Sequence, residues 1–238
     1  MPLKHWYTVL DMLTIRPFKL FSLIQAPPSE RIAHVQIPPR RAVGGVTLLE
    51  TFLIVTATQI VNARRVFEFG TFLGSTTLNL AFNTADDAEV VTLDLGEEHA
   101  GVVKQDIADV PLTKLHLAAN KELDFIGSRV SHKIKTQIGN SILFNFSTYK
   151  RTMDFVFIDG GHDLDTVRSD SQNAWEMVRS DKPSCIMWHD YGNPDYSDLT
   201  TYLDKLSEER DMYHVGDTML VCWFNDTANT IRSSILRD

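Results

Sequence analysis

The sequence predicts an α/β protein: a doubly wound, mainly parallel seven-stranded sheet with helices on both faces and an antiparallel hairpin at its C-terminal end. Three observations carry this reading. From Gly44 onward, short apolar runs alternate with stretches whose apolar residues recur at helical spacing, as parallel strands joined by crossover helices require. The run from Met153 to Ile158 reads as a strand buried on both faces. The last two strand patterns, near Met212–Val215 and Met219–Phe224, have the turn signal Gly216-Asp217 between them and no helical pattern, so they form a hairpin.

Taken in order, Thr47 to Val61 has helical spacing, with Thr47 as N-cap and Glu50 three residues on, a capping box. Arg65 to Gly70 is a strand running into a glycine turn, and Ser75 to Phe82 is the helix that follows. Val90 to Asp94 is a second strand ending in an acid. The polar stretch from Glu97 to Arg129 holds one helix plus irregular chain. His132 to Ile138 alternates as a third strand and closes on Gly139-Asn140. The fourth strand ends at Asp159, a helix spans Asp163 to Arg179, the fifth strand is Ser184 to Trp188, and a helix spans Ser197 to Arg210. Residues 1–43 stand apart as an N-terminal helical and extended appendage to the domain 44–238. They carry Trp6, Tyr7, Phe18 and Phe21, the pairs Pro27-Pro28 and Pro38-Pro39, and Arg40-Arg41. The prolines forbid one continuous helix, so a short amphipathic helix up to about Leu23 and then an extended connector are expected. That tail packs on the core or on a second subunit of a homo-oligomer; a substrate lid is the alternative.

Composition sets the class. Hydrophobic residues make up 43% and charged residues 23% of the 238, ordinary for a globular protein able to bury a large core without staples. With 23 Lys+Arg against 31 Asp+Glu, no overall nucleic-acid footprint is expected. No long apolar run suggests a membrane span. Asp11, Arg16 and Lys19 interrupt the N-terminal apolar residues, so no signal peptide is read there. Cys185 and Cys222, each inside an apolar stretch, are expected as buried free thiols. Two cysteines are too few for a disulfide framework, which favours the cytoplasm.

In an open α/β sheet, ligands bind beyond the carboxyl ends of the strands, near the point where strand order reverses. The strand ends here are Glu68-Phe-Gly70, Asp94, Asn140-Ser141, Asp159 and His189-Asp190. The first opens the loop Glu68-Phe-Gly-Thr71-Phe-Leu-Gly74-Ser75-Thr, whose glycines permit a tight strand-to-helix turn. A dinucleotide fingerprint wants a glycine where Phe72 stands, so that a pyrophosphate can lie on the helix N-terminus. Phe72, with a carboxylate at Glu68, argues for a ligand bearing an amino group and no phosphate. Asp94, twenty residues after Gly74, is placed to accept hydrogen bonds from both hydroxyls of a ribose. Turn and acid together read as a nucleoside cofactor site.

The order Glu68-x-Gly-x-Phe-x-Gly74-x-Thr76, Val-Thr-Leu-Asp94, Ile138-Gly-Asn-Ser141, Phe157-Ile-Asp-Gly-Gly-His162 and Trp188-His-Asp-Tyr191 resembles the Rossmann-like class I S-adenosylmethionine-dependent methyltransferases. It is most similar to the branch of catechol O-methyltransferase-like enzymes and bacterial small-molecule O-methyltransferases. The resemblance spans roughly Gly44 to Phe224. It implies methyl transfer from S-adenosylmethionine to a small molecule, at a hydroxyl oxygen. It further implies that the loop residues Glu68, Gly70, Thr71, Gly74 and Ser75 hold the cofactor, with Glu68 and Gly70 beside its methionine end. Asp94 would bind the ribose, Asn140 and Ser141 would flank the adenine, and Asp159 would lie close to the transferred methyl. Many relatives carry Asp where Asn140 stands.

In metal-dependent relatives, an acid after the fourth strand and a pair after the fifth hold a divalent ion, which implies Asp159, His189 and Asp190 here. A mixed imidazole and carboxylate set suits a transition metal better than Mg²⁺. The same residues suit a metal-free site in which His162 or His189 removes the acceptor's proton, or a purely structural hydrogen-bond cluster. Asp159 and Asp190 end neighbouring strands and can converge. His189 and Asp190 can reach one ion together only if the chain turns out of the strand at His189; otherwise His162 is the spare ligand. The rival readings are a nicotinamide-dependent oxidoreductase and a non-catalytic cofactor-binding homologue.

Overall fold

The computed structural model describes residues 12–36, 44–100, 105–119, 122–225 and 230–235. Strand β1 (Leu13–Ile15) and helix α1 (Pro17–Ser22) precede α2 (Leu48–Ile60). The alternating body follows: β2 (Arg65–Phe69), α3 (Ser75–Phe82), β3 (Glu89–Asp94), α4 (Glu97–Ala100), α5 (Asp109–Ala119), β4 (Ile134–Ile138), β5 (Phe155–Ile158) and α6 (Leu164–Met177). It ends in β6 (Ser184–Trp188), α7 (Ser197–Ser207), β7 (Met212–Val215), β8 (Leu220–Asn225) and α8 (Thr230–Ile235).

The strands form one eight-stranded sheet in the order β1-β7-β8-β6-β5-β2-β3-β4. Only β8 runs against its neighbours, β6 and β7. The eighth strand is a correction to the seven expected. Leu13–Ile15 pairs in parallel with β7 at the sheet edge, so these three residues before Gly44 belong to the main sheet. Its helix ends near Leu23 as the prolines dictate, but it starts only at Pro17, whose fixed φ suits a first helical position. Trp6, Tyr7, Pro38-Pro39 and Arg40-Arg41 lie outside the described residues. Among the described residues of the stretch 97–129 there are two helices, α4 and α5, where one was expected.

Alternation along the strands divides the core by face. Val66, Phe155, Phe157, Cys185 and Cys222 pack with Leu53, Ile54 and Leu78 of α2 and α3. Phe67, Phe69, Val156, Ile158, Ile186 and Trp188 pack with Val167, Ala174 and Met177 of α6 on the other. Both thiols are free and buried. Helix α2 starts with the capping box the sequence shows, Thr47 accepting from the Glu50 N–H and Glu50 from the Thr47 N–H at 2.8 Å. Its buried threonines donate to carbonyls one turn back, Thr51 to Thr47 and Thr56 to Phe52, which removes the cost of burying a hydroxyl. Among the described residues, no helix is long and apolar enough to cross a membrane.

Candidate active site

Strand order reverses between β2 and β5, and the register there sets out the site. Phe69 is level with Leu93 and Ile158, and Ile158 with Trp188. The next residues along, Gly70, Asp94, Asp159 and His189, therefore share the carboxyl edge of the sheet. They open on a cleft of about 310 Å³. A Cβ on Gly70 would collide with the Asp159 carbonyl, and one on Gly74 would lie 2.7 Å from the Phe125 ring. Both glycines have positive φ. They let the loop pack against its own protein, a demand the sequence did not distinguish from close approach of a ligand.

Phe72 also has positive φ, at 46°, an uncommon conformation for a bulky residue. Two contacts hold it there. Its N–H donates to Asp94 Oδ2 at 2.6 Å, and its carbonyl accepts from His116 Nδ1 at 2.7 Å. Asp94 Oδ1 accepts the Leu95 N–H at 2.6 Å. The Asp94 side chain remains 17% exposed and, with Asn140 and Ser141, lines the cleft. His116 comes from α5, which covers this end.

The other end is a cluster of carboxylates and imidazoles. Asp190, at φ 63°, turns the chain out of β6 directly after His189. Asp190 Oδ2 accepts from His162 Nε2 at 2.9 Å and from His189 Nδ1 at 3.0 Å. His162 Nδ1 donates to Asp109 Oδ1 at 2.7 Å, so both its nitrogens face carboxylates. His189 Nδ1 also lies 3.3 Å from Asp159 Oδ1, and its Nε2 faces Glu50 Oε2 at 3.4 Å. Burial opposes a charge on His162, but the hydrogen bonds and charges of Asp109 and Asp190 outweigh it and hold the imidazole pKa up at about 10. His189 is pushed up likewise, by Asp159, Asp190 and Glu50 against burial. Glu50 is driven down to about 2: burial raises it, and His189 with the Met219 and Thr47 amides more than reverses this.

Residues 67–191, just over half of the chain, match the methyltransferase domain family model. The chain belongs to that family. A search of curated protein sequences gave no match. Among solved structures, the methyltransferase is similar to the O-methyltransferase TomG of Streptomyces achromogenes, involved in tomaymycin synthesis and solved with S-adenosylmethionine. Identity is 16%, with 87% of this chain and 88% of that chain covered and a TM-score of 0.54. It is also similar to the S-adenosylhomocysteine-bound methyltransferase PaMTH1 of Podospora anserina, at 14% identity, 89% coverage of each chain and a TM-score of 0.55. A putative caffeoyl-CoA O-methyltransferase of Staphylococcus aureus gives 14%, 79% of this chain, 84% of that one and 0.54. At such identities the likeness establishes the methyltransferase fold.

Of the residues singled out in the sequence, Gly70, Asp94, Asn140, Ser141, Asp159, His162, His189 and Asp190 line the methyltransferase cleft. Glu68, Thr71, Gly74 and Ser75 do not. Glu68 is a correction. It shares the face of β2 that carries Val66, points beneath α3, and accepts from Thr77 and, at 2.6 Å, from Thr92. Burial pushes its pKa up to about 8, although both threonines oppose this. Its carboxyl group is taken up by two threonines beneath α3 and does not line the cleft. Thr71 bonds to Thr92 at 2.7 Å and Ser75 donates to Gln36 at 3.4 Å, both away from the cleft. Asp159 and Asp190 converge as expected: one ligand atom from each of Asp159, His162 and Asp190 lies within 4.8 Å of the others, and His189 Nδ1 lies 3.3 Å from Asp159 and 3.0 Å from Asp190. Asp109, His116 and Tyr196 were not singled out. They sit in stretches without a strand end to mark them, and only the fold brings them to the cleft.

Proposed function

We propose that this methyltransferase moves the methyl group of S-adenosylmethionine to a hydroxyl oxygen of a small molecule, with a divalent ion held at Asp159 and Asp190. The observation that carries the proposal is the charge of the cleft. Asp94, Asp109, Asp159, Asp163 and Asp190 line it together with three histidines, and among the described residues none lining it is Lys or Arg. Such a site suits a cationic sulfonium and its ammonium group. A pyrophosphate would have no cation to meet, which disfavours a nicotinamide dinucleotide. Asp94 keeps exposed surface and free lone pairs for ribose hydroxyls, and Asn140 and Ser141 lie on the same wall beyond it. The gathering of buried, paired ionisable groups at the far end speaks for catalysis over a silent cofactor-binding homologue.

Methyl transfer is an in-line displacement, so placement and deprotonation of the acceptor supply most of the catalysis. The chain's residues divide that work. Asp94 anchors the cofactor end, while the Asp159–Asp190 side faces the acceptor. Of these carboxylates Asp159 presents the most surface, 20% against 11% for Asp190 and 9% for Asp109, and it lies beside the cofactor end through Gly70. The donor set fits a divalent ion, because carboxylates outnumber the imidazoles that neutralise them. Such an ion, when bound, lowers the acceptor's hydroxyl pKa and fixes its oxygen. Two buried free thiols support action in a reducing cytoplasm. Calorimetry with S-adenosylhomocysteine and NAD in parallel tests the proposal. The first should bind and the second should not; the reverse result would sink it.

A further inference from the structure

Asp109 is the least expected residue of the cleft. It opens α5, far in sequence from every strand end, and is 6% exposed. Yet its carboxylate makes three contacts, two to His162 and one to Tyr196. Oδ2 accepts the His162 backbone N–H at 2.9 Å and Oδ1 accepts His162 Nδ1–H at 2.7 Å. Oδ1 also accepts the Tyr196 hydroxyl at 3.0 Å, and the Tyr196 ring lies flat on the His162 imidazole, at 3.8 Å between centroids and 8° between planes. The imidazole is thus fixed in position and tilt, with an N–H at Nδ1. With Nδ1–H committed to Asp109, Nε2 points at the Asp159–Asp190 pair, 2.9 Å from Asp190. His189 is held differently: Nδ1 contacts Asp159 and Asp190, and Nε2 faces Glu50.

We infer that Asp109 is a positioning residue that orients His162 as the nitrogen ligand of a divalent ion shared with Asp159 and Asp190. Metal-bound histidines characteristically donate their second N–H to a carboxylate, which fixes the ring and raises its basicity. Asp109 is that carboxylate, with Tyr196 as the plate behind the ring. To hold the ion, His162 would present Nε2 without its proton and keep its Nδ1–H on Asp109. One imidazole nitrogen and two carboxylates favour a transition ion such as Mn²⁺ over Mg²⁺. The inference rests on the proposed ion-assisted methyl transfer, and its test separates the two.

Full-length protein is titrated by calorimetry with Mn²⁺ alone and, separately, with S-adenosylhomocysteine. Asp109→Asn should weaken Mn²⁺ binding by about 10–100-fold and leave S-adenosylhomocysteine affinity unchanged, which also reports an intact fold. Should Asp109→Asn not fold, Asp109→Glu takes its place and should retain part of the Mn²⁺ affinity. Pulsed EPR of the Mn²⁺-loaded protein should show a directly bonded nitrogen. The coupling should survive His189→Gln and vanish in His162→Gln, and Asp109→Asn should cause no further loss in the His162→Gln background. Absence of Mn²⁺ binding, indifference to Asp109, or a nitrogen coupling lost only in His189→Gln overturns the inference. Failure of the unaltered protein to bind S-adenosylhomocysteine overturns instead the reading on which it stands.

Discussion

A carboxyl group buried beneath a helix responds to pH in the opposite way from one on the surface, and Glu68 is such a group. Its folded pKa of about 8 lies above the unfolded 4.5. The native state therefore holds a proton that the unfolded chain releases. The stability this gives is complete below pH 4.5 and is lost progressively as pH rises to about 8. Asp170, pushed by burial to about 7 from 3.8, adds a slope of the same sign. Glu68→Gln should flatten the fall in urea midpoint between pH 5 and 8 without abolishing it; a profile as steep as the parent's would remove Glu68 as its source. Asp94 tests the cofactor end. Asp94→Ala should weaken S-adenosylhomocysteine binding by about 1.5–3 kcal/mol, the scale of lost charge-assisted hydrogen bonds. It should also lower thermal stability, since the Phe72 and Leu95 amides lose their acceptor. An affinity unchanged in the folded variant would take Asp94 out of the site.

Among the elements, α2 shows how one residue serves local and tertiary structure together. Glu50 completes the capping box, accepts the Met219 N–H at 2.8 Å and faces His189. Thr47→Ala removes only the cap and should cost about 0.5–2 kcal/mol. Glu50→Ala also removes one of the three carboxylates around the His189 imidazolium and the acceptor of the Met219 N–H, so it should cost more than the cap alone. Urea unfolding of both variants compares the two; equal losses would reduce Glu50 to a cap. Helix α5 is tied at both ends. Asp109 meets His162 and Tyr196 near its start, and His116 meets Phe72 near its end. One helix thus touches both halves of the cleft, which is why a stretch with a weak helical pattern contributes to the site.

At the scale of the whole molecule, the sheet separates two apolar layers, one of which buries both thiols. Cys185 and Cys222 are fully inaccessible, and burial holds the Cys222 thiol up at about 12 and raises Cys185 as well. Both should stay inert to a thiol reagent at pH 8 in the native protein and react together once urea unfolds it. Rapid modification of either in native buffer would show that the sheet opens locally.

The sequence by itself determined the alternation of strands and helices from Thr47 to Phe224, the capping box, the closing hairpin and the strand-end residues from Gly70 to Asp190. These follow from local rules: period, turn chemistry and the fact that parallel strands present their carboxyl ends on one edge. The direction of Glu68 was not legible, because only the pairing of β2 with its neighbours and the placement of α3 show that its face lies over Thr77. The strand Leu13–Ile15 was missed because three residues carry too little periodicity and become a strand only when β7 offers an edge. The tertiary structure also decided the surroundings of each histidine, both of which meet Asp190. His162 and His189 read alike in the chain, and what separates them is the carboxylate each meets: Asp109, 53 residues before His162, and Glu50 in α2. Contacts across such separations are set by packing, and no local pattern encodes them.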